Sequence, residues 1–300
     1  MVIKKQYGGL GFSALAHSAV VHKLATRSGV LAITTMVPNS LGPGELLSHY
    51  GTPEQKDYYL PRLADGRELP CFGLTEPTAG SDAASITSSG EVYLDNGVIK
   101  IKLNFAKRYI TLGAVATVIG LAFRLKDPAN LLGKGVEPGI TCALVPHDLP
   151  GVKLGRRHDP MGVPFVNSPI NGENVIIGIE HIIGGADGVG IGWKMLMECL
   201  AVGRGISLPS TSAGAAKLVS RVVASYGMVR KQFGMSVGKF EAIEEPIARI
   251  AGFTYMLEAM RKFVAGAVDR GAKPAVTNAI AKYHSTEKFR EIINDGMDVL

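Results

Sequence analysis

Hydrophobic positions change their spacing twice along this chain. Through the first sixty residues they recur at helical intervals. From about residue 69 they alternate or run continuously over short stretches, and after about residue 186 they return to three- and four-residue steps. Residues 10–60 read as helices, and the clearest start signal is Thr52-Pro53-Glu54-Gln55. Thr52 is the N-cap, Pro53 takes the first helical position and Gln55 closes a capping box. That helix is expected to stop at Pro61 or soon after. Upstream, SGVLAITTMVPNSLGPGELLSHYG is apolar enough for burial, and Pro38, Gly42, Pro43 and Gly44 are expected to break it into pieces.

In the middle third, Val98-Ile99-Lys100-Ile101-Lys102-Leu103 alternates as a half-buried strand does. Asp95-Asn96-Gly97 before it is a hairpin turn, so VYL and VIKIKL should pair. ATVIGLAFRL and GITCALVP read as buried strands, followed by GVKLG, which together predict an antiparallel barrel or sandwich. The final third carries Ala215, Leu218, Val219, Val222, Val223, Tyr226, Val229 and Phe233 at helical steps, then Ile243, Ile247, Ile250, Leu257, Met260 and Val264, then AVTNAIAKYHSTEKFREII. Short loops such as GMSVGK and DRGAKP imply an antiparallel bundle. The expected architecture is α+β, with a helical part at 1–68, a β-domain at 69–185 and a helical bundle at 186–300.

Composition changes this picture little. With 46% apolar and 19% charged residues the chain has core to spare and no disordered character. The net charge of +6 is spread without a basic block. It fits an ordinary solvated surface, or attraction to anionic small molecules or a membrane surface. Aromatics at 7%, with no base-stacking motif, argue against nucleic acid. Cys71, Cys142 and Cys199 are odd in number and far apart, which points to a reducing compartment. MVIKKQYGGLGF lacks a signal-peptide core, and AVATVIGLAF is too short to span a bilayer. The abrupt start, and the stop within an apolar pattern at GMDVL, suggest a fragment.

Several stretches could carry chemistry. CFGLTEPTAGSD places two hydroxyls, two carboxylates and small residues at one strand end, as a turn would, or a loop lying against a flat cofactor. GADGVGIGWKMLM has spaced glycines before a helix but lacks the βαβ context of a dinucleotide fold, so a domain connector is the better reading. The seven histidines show no ligand spacing, and Ser81 sits in no nucleophile elbow. Lys107-Arg108-Tyr109-Ile110-Thr111 puts an aromatic and a hydroxyl on one strand face, which suits a flavin edge or a plain surface pair. Arg230-Lys231-Gln232-Phe233-Gly234 ends an expected helix, where cations suit the dipole or a phosphate. Arg204 is a lone charge in an apolar run, and if buried it needs an anionic or carbonyl partner.

YGGLGF, GTPEQKDYYLPRLADG, LTEPTAGSD, KRYITLG and RKQFG, in this order and spacing, resemble the acyl-CoA dehydrogenase family along essentially the whole chain. The resemblance is greatest to the long bacterial fatty acyl-CoA dehydrogenases of β-oxidation, with Tyr109 where most relatives carry tryptophan. It implies FAD as cofactor, conversion of a medium- to long-chain acyl-CoA to the trans-2-enoyl-CoA, and electrons passed to an electron-transfer flavoprotein. By the same resemblance Phe72, Leu74 and Thr75 line the flavin. Gly80 and Ser81 let the loop approach the cofactor phosphates and the CoA arm, and Tyr109 and Thr111 cover the ring and bond near N5. Arg230, Gln232 and Phe233 reach the FAD of a neighbouring subunit in a homodimer or homotetramer, and Arg204 sits beside the substrate pocket.

The family's catalytic glutamate has no counterpart here. Where some branches place it, directly before the arginine, this chain has Gly203, and Glu198 lies about 240° around the helix from Arg204. The base is therefore expected beyond Leu300. An acyl-CoA oxidase, or a flavin- and acyl-CoA-binding module without turnover, are the competing expectations, and the expected location is the cytoplasm, with peripheral attachment to the inner membrane left open.

Overall fold

A computed structural model of the chain describes residues 1–40 and 42–300. Four helices come first: α1 (Ala14–Ala25), α2 (Gly29–Ser40), α3 (Pro43–Tyr50) and α4 (Pro53–Asp65). Strands β1 (Pro70–Gly73), β2 (Ser89–Asp95), β3 (Val98–Thr111), β4 (Val118–Lys126), β5 (Gly139–Pro146), β6 (Val152–Leu154) and β7 (Asn167–Gly178) follow. Then come α5 (Gly192–Val229), the short strands β8 (Lys231–Gln232) and β9 (Met235–Ser236), and helices α6 (Glu241–Asp269) and α7 (Ala275–Val299). The chain forms two compact units, Met1–Gly11 with Val37–Leu200, and Phe12–Met36 with Ala201–Leu300.

The capping box at α4 forms as the sequence demands. Thr52 Oγ1 accepts from Gln55 N at 3.2 Å, and Gln55 Oε1 accepts from Thr52 N at 3.1 Å. Pro61 does not stop the helix, which runs on to Asp65 and closes on left-handed Gly66. The carbonyl that Pro61 leaves without its helical donor belongs to Asp57, on the exposed side where water can replace it. Pro38 likewise lies inside α2, so the expected break falls instead at Gly42, the N-cap of α3. Leu41 lies outside the described residues.

The β-sheet of the first unit has the order β1-β4-β2-β3-β7-β6, with β5 on β4. The hairpin at Asp95-Asn96-Gly97 is present, with Val92 opposite Ile101 and Leu94 opposite Ile99. Asn96 and Gly97 have φ of 50° and 81°, the left-handed pair such a two-residue turn requires. The β3–β7, β4–β5 and β6–β7 pairings are antiparallel as well, whereas β1–β4 and β2–β4 are parallel.

The unbroken apolar run of β4 has a simple cause. Ile119, Leu121, Phe123 and Leu125 enter one core, with Leu103 and Phe105 of β3, while Val118 and Ala122 enter another, with Leu46, Leu47 and Leu60 of α3 and α4. A strand buried on both faces has no polar positions to alternate.

In the second unit, Ser13 caps α1 through Ala16 N, and the Asp269 carboxylate accepts from the Ala14 and Leu15 amides at 2.7 and 3.1 Å. Ala213, Ala216, Val223, Ile250, Leu257 and Ile292 form the core of α5, α6 and α7. The helix expected to run to Phe233 ends instead at Val229. Lys231–Gln232 then pairs with Met235–Ser236 across Phe233 and Gly234, at φ 50° and 79°. Val229 and Phe233, placed on an apolar helix face by their spacing, are 76% and 93% exposed.

Candidate active site

The end of β1 and the end of β3 meet through one backbone bond, Arg108 N to Thr75 O at 2.9 Å. This joins the LTEPTAGSD segment to KRYIT. Along β1, Phe72 sits opposite Gly120 of β4 and is half-buried. A Cβ at Gly120 would lie 2.7 Å from the Phe72 ring, so glycine there is what gives the ring room. Leu74 is buried, Thr75 is half-buried, and Gly80 and Ser81 are exposed.

Tyr109 and Thr111 do not follow a regular strand. The β3–β7 register shifts between Lys107 and Ile110, so Arg108 and Tyr109 both face outward before Ile110 turns in again. Tyr109 takes φ 58°, an unusual state for a bulky residue, and the residue is 55% exposed. A β-bulge of this kind re-aims a side chain. Here it separates Tyr109 from Lys107, whose own face points into the protein. The Arg108 guanidinium lies 4.5 Å from the Tyr109 ring centroid and the His158 ring 5.0 Å away. His158 Nδ1 is in turn 2.8 Å from Asn167 Oδ1.

Beneath this surface lies an ion pair that the motif reading passed over. Lys107 is 1% exposed and Glu76 3%. Lys107 Nζ donates to Glu76 Oε1 at 2.7 Å and to the Leu74 carbonyl at 3.2 Å. Glu76 also accepts from Thr87 N at 2.6 Å, Thr87 Oγ1 at 2.9 Å and Ser88 N at 3.1 Å. One carboxylate thus closes the loop from 76 to 88, and one ammonium holds the carbonyl directly before Thr75. Burial acts to raise the Glu76 pKa, but bonds from Lys107, Ser88 and Thr87 outweigh it and hold it down at about 2. Burial lowers the Lys107 pKa from its ordinary value, opposed by Glu76. Asp82 shapes the same loop by accepting from the Ser85 hydroxyl.

The sequence did hold a signal for Lys107. Ile101, Leu103 and Phe105 point inward at steps of two, and the next inward position is Lys107, where a charge demands a partner.

Arg204 and the RKQFG residues belong to the second unit. Arg204, the lone charge of its apolar run, is exposed, while its glycine neighbours Gly203 and Gly205 are buried. The arginine projects outward from α5, so burial supplies no reason for a partner. Arg230, Gln232 and Phe233 sit on the β8–β9 hairpin rather than in a helix end, and all three are exposed. The glycines of GADGVGIGW serve chain packing, since a Cβ at Gly188 would lie 1.9 Å from the Ile183 carbonyl oxygen.

Glu198 of α5 accepts a hydrogen bond from the Tyr50 hydroxyl. That bond, with burial, pushes the Tyr50 pKa up to about 12. Cys71, Cys142 and Cys199 are free and buried, and desolvation pushes each thiol to about 12, so none is a thiolate near neutral pH. Among the described residues no cluster of His, Cys, Asp and Glu could hold a metal, and no helix is long and apolar enough to cross a membrane.

Comparison with known proteins fits this arrangement. Residues 1–67, 71–175 and 190–300 match, in turn, the N-terminal, middle and C-terminal domain models of acyl-CoA dehydrogenase. The chain is also 32% identical over 304 residues to the 3-(aryl)acrylate reductase of Clostridium sporogenes, covering 98% of this chain and 74% of that protein. The chain belongs to the acyl-CoA dehydrogenase family.

Within that family it is 30% identical over 309 residues to the mitochondrial very long-chain specific acyl-CoA dehydrogenase of Rattus norvegicus, covering 99% of this chain and 45% of the rat protein. It spans about half the length of several curated relatives that it matches. The solved butyryl-CoA dehydrogenase of Megasphaera elsdenii superposes with a TM-score of 0.87 at 27% identity, over 99% of this chain and 75% of that one. The helical, β and helical succession of this chain is the family's.

Proposed function

We propose that this chain is the flavin-holding part of an FAD-dependent acyl-CoA dehydrogenase, acting on a medium- to long-chain fatty acyl-CoA in β-oxidation and passing electrons to an electron-transfer flavoprotein. The family's three-domain match supports oxidation of an acyl-CoA. The observation that carries the cofactor assignment is the unspent donor set around the β3 bulge. Among the described residues, no hydrogen bond occupies the side-chain hydroxyls of Thr75, Ser81 or Thr111, although Thr75 is fixed through its carbonyl. An exposed aromatic ring, three free hydroxyls and an open glycine at Gly80 fit a flat ring with a polar edge and a phosphate tail.

FAD bound here would supply the acceptor for a hydride from the substrate β-carbon. Thr75 would hold the pyrimidine edge and Thr111 would bond near N5, while Phe72, Leu74 and Tyr109 wall the ring. Gly80 and Ser81 would let the phosphates and the CoA arm lie against the backbone. On the second unit, Arg204 would meet the substrate, and Arg230, Gln232 and Phe233 would reach the FAD of a second copy, in a homodimer or homotetramer. We assign the catalytic base to no residue of this chain. We also retain the three-domain division at 68/69 and 185/186 and a cytoplasmic location, with peripheral contact to the inner membrane left open.

The test is anaerobic mixing of the complete protein with acyl-CoAs of increasing chain length. Flavin bleaching with formation of the trans-2-enoyl-CoA is the expected result, and an unchanged flavin spectrum with every chain length would overturn the reading. Peroxide released during aerobic turnover would assign the protein to the oxidases.

Two variants examine single roles. Thr111→Val keeps the shape of the side chain and removes one hydrogen bond of about 0.5–1.5 kcal/mol, so flavin reduction should slow by roughly threefold to tenfold with little change in Tm. Stopped-flow reduction at the wild-type rate would remove Thr111 from the site. Arg230→Ala should weaken FAD retention by about 2 kcal/mol, roughly thirtyfold, through loss of a charge-assisted phosphate contact. Flavin occupancy after dilution measures it.

A further inference from the structure

The second unit carries a cavity of about 250 Å³ whose lining is basic and contains no carboxylate. Lys23 comes from the last turn of α1, Arg27 from the turn that follows it, Lys217 and Arg221 from α5, and Ala19, His22 and Thr26 complete the lining. Lys217 and Arg221 are four residues apart on α5 and therefore share a face. Thr26 is buried, with its hydroxyl donating to the Lys23 carbonyl at 2.7 Å. The His22 side chain is 12% exposed.

Like charges at such spacing repel unless something offsets them. No ion pair occupies Lys23, Arg27, Lys217 or Arg221 among the described residues. The neighbouring carboxylate, Glu258, is already committed. Its oxygens accept from Arg261 at 2.7 and 2.9 Å and lie 3.2 Å from Lys262 Nζ, and it lies 3.2 Å from His22 Nε2, off line for a hydrogen bond. Lys23 and Arg27 also complement the negative end of the α1 dipole, but Lys217 and Arg221 stand mid-helix, where no dipole calls for a cation.

We propose that this cavity binds a phosphate group, carried as a diphosphate or phosphomonoester. Two guanidiniums can each grip two phosphate oxygens, and two ammoniums add charge. The lining holds no Phe, Tyr or Trp, so recognition rests chiefly on the phosphate itself. A compact anion suits the small volume better than an extended acidic peptide does. The site is distinct from the proposed acyl-CoA and flavin contacts on this unit. Lys217 lies about 20 Å along α5 from Arg204, and Arg221 about 12 Å short of the helix end that leads to Arg230.

The probe is inorganic pyrophosphate, titrated into the complete flavin-loaded protein at fixed ionic strength. Calorimetry should show saturable binding, and the His22 imidazole NMR signals should move with it. Lys217→Gln/Arg221→Gln, at two exposed positions, should weaken binding at least tenfold, and Arg27→Gln alone should weaken it measurably. Saturable capture by phosphatidic-acid vesicles, reversed by pyrophosphate and lost in the double variant, would place the phosphate on a lipid headgroup. Binding of pyrophosphate without vesicle capture would place it on a soluble molecule. Equal affinity in wild type and double variant, a response reproduced by chloride at matched ionic strength, or binding of polyglutamate but not pyrophosphate would overturn the proposal.

Discussion

Replacing Lys107 by alanine should lower the unfolding free energy by about 3–5 kcal/mol, the usual cost of stranding one member of a buried ion pair. Lys107 and Glu76 are both almost fully buried, and removing the ammonium leaves a carboxylate with hydrogen bonds but no counter-charge. Lys107→Met with Glu76→Gln should recover much of the loss, since neither residue then carries a charge into the core. If the pair also positions the flavin edge, that double variant should fold yet retain FAD less well than wild type, because the Leu74 carbonyl has lost its clamp.

The same pair sets an acid limit. Glu76 is held down at about 2, below the ordinary carboxylate range, so its contribution is fully present above about 4.5 and is lost as the pH falls toward 2. Urea unfolding of wild type and of Lys107→Met/Glu76→Gln should converge across that window. Parallel curves would refute the assignment.

The second large effect is expected at Arg261 of α6. Its Nε and Nη2 donate to Glu258 and its Nη1 to Ser18 at 2.9 Å, with the arginine only 5% exposed. Arg261→Ala should cost about 2–4 kcal/mol, a little below the buried-pair range, because Glu258 keeps Lys262 and remains partly exposed. A distinctive readout accompanies it. Burial lowers the His22 pKa, Glu258 raises it, and Arg261 lowers it again. Losing Arg261 should therefore shift the His22 titration upward, and an unchanged or lowered titration would show that the two do not interact.

Local signals in the sequence were read correctly where one short segment contains its own reason. The α4 capping box and the Asn96-Gly97 turn need only their own side chains and backbone, so neither depends on distant packing. β7 lacked such a signal. Its residues NSPINGENVIIG hold Pro169, Gly172 and three asparagines, and the strand exists because β3 offers it a partner. RKQFG misled for the opposite reason, since Val229 and Phe233 extend a helical spacing that left-handed Phe233 and Gly234 end. Among the site residues, the order of motifs led to Thr75, Tyr109 and Thr111. Burial is a property of the whole fold, which is why Arg204 came out exposed and Lys107 was overlooked.

The bond from Arg108 to Thr75 has a consequence for how this unit assembles. It closes over a sequence separation greater than most turns, and the strands around it pair over longer ones still, with Phe72 beside Gly120 and Thr111 beside Asn167. Contacts between such distant residues repay their loop-closure entropy only after much of the chain has condensed. The surface proposed to face the cofactor is therefore among the last to exist during folding. A nascent chain interrupted before β7 would carry LTEPTAGSD and KRYIT without the strand against which Thr111 is placed.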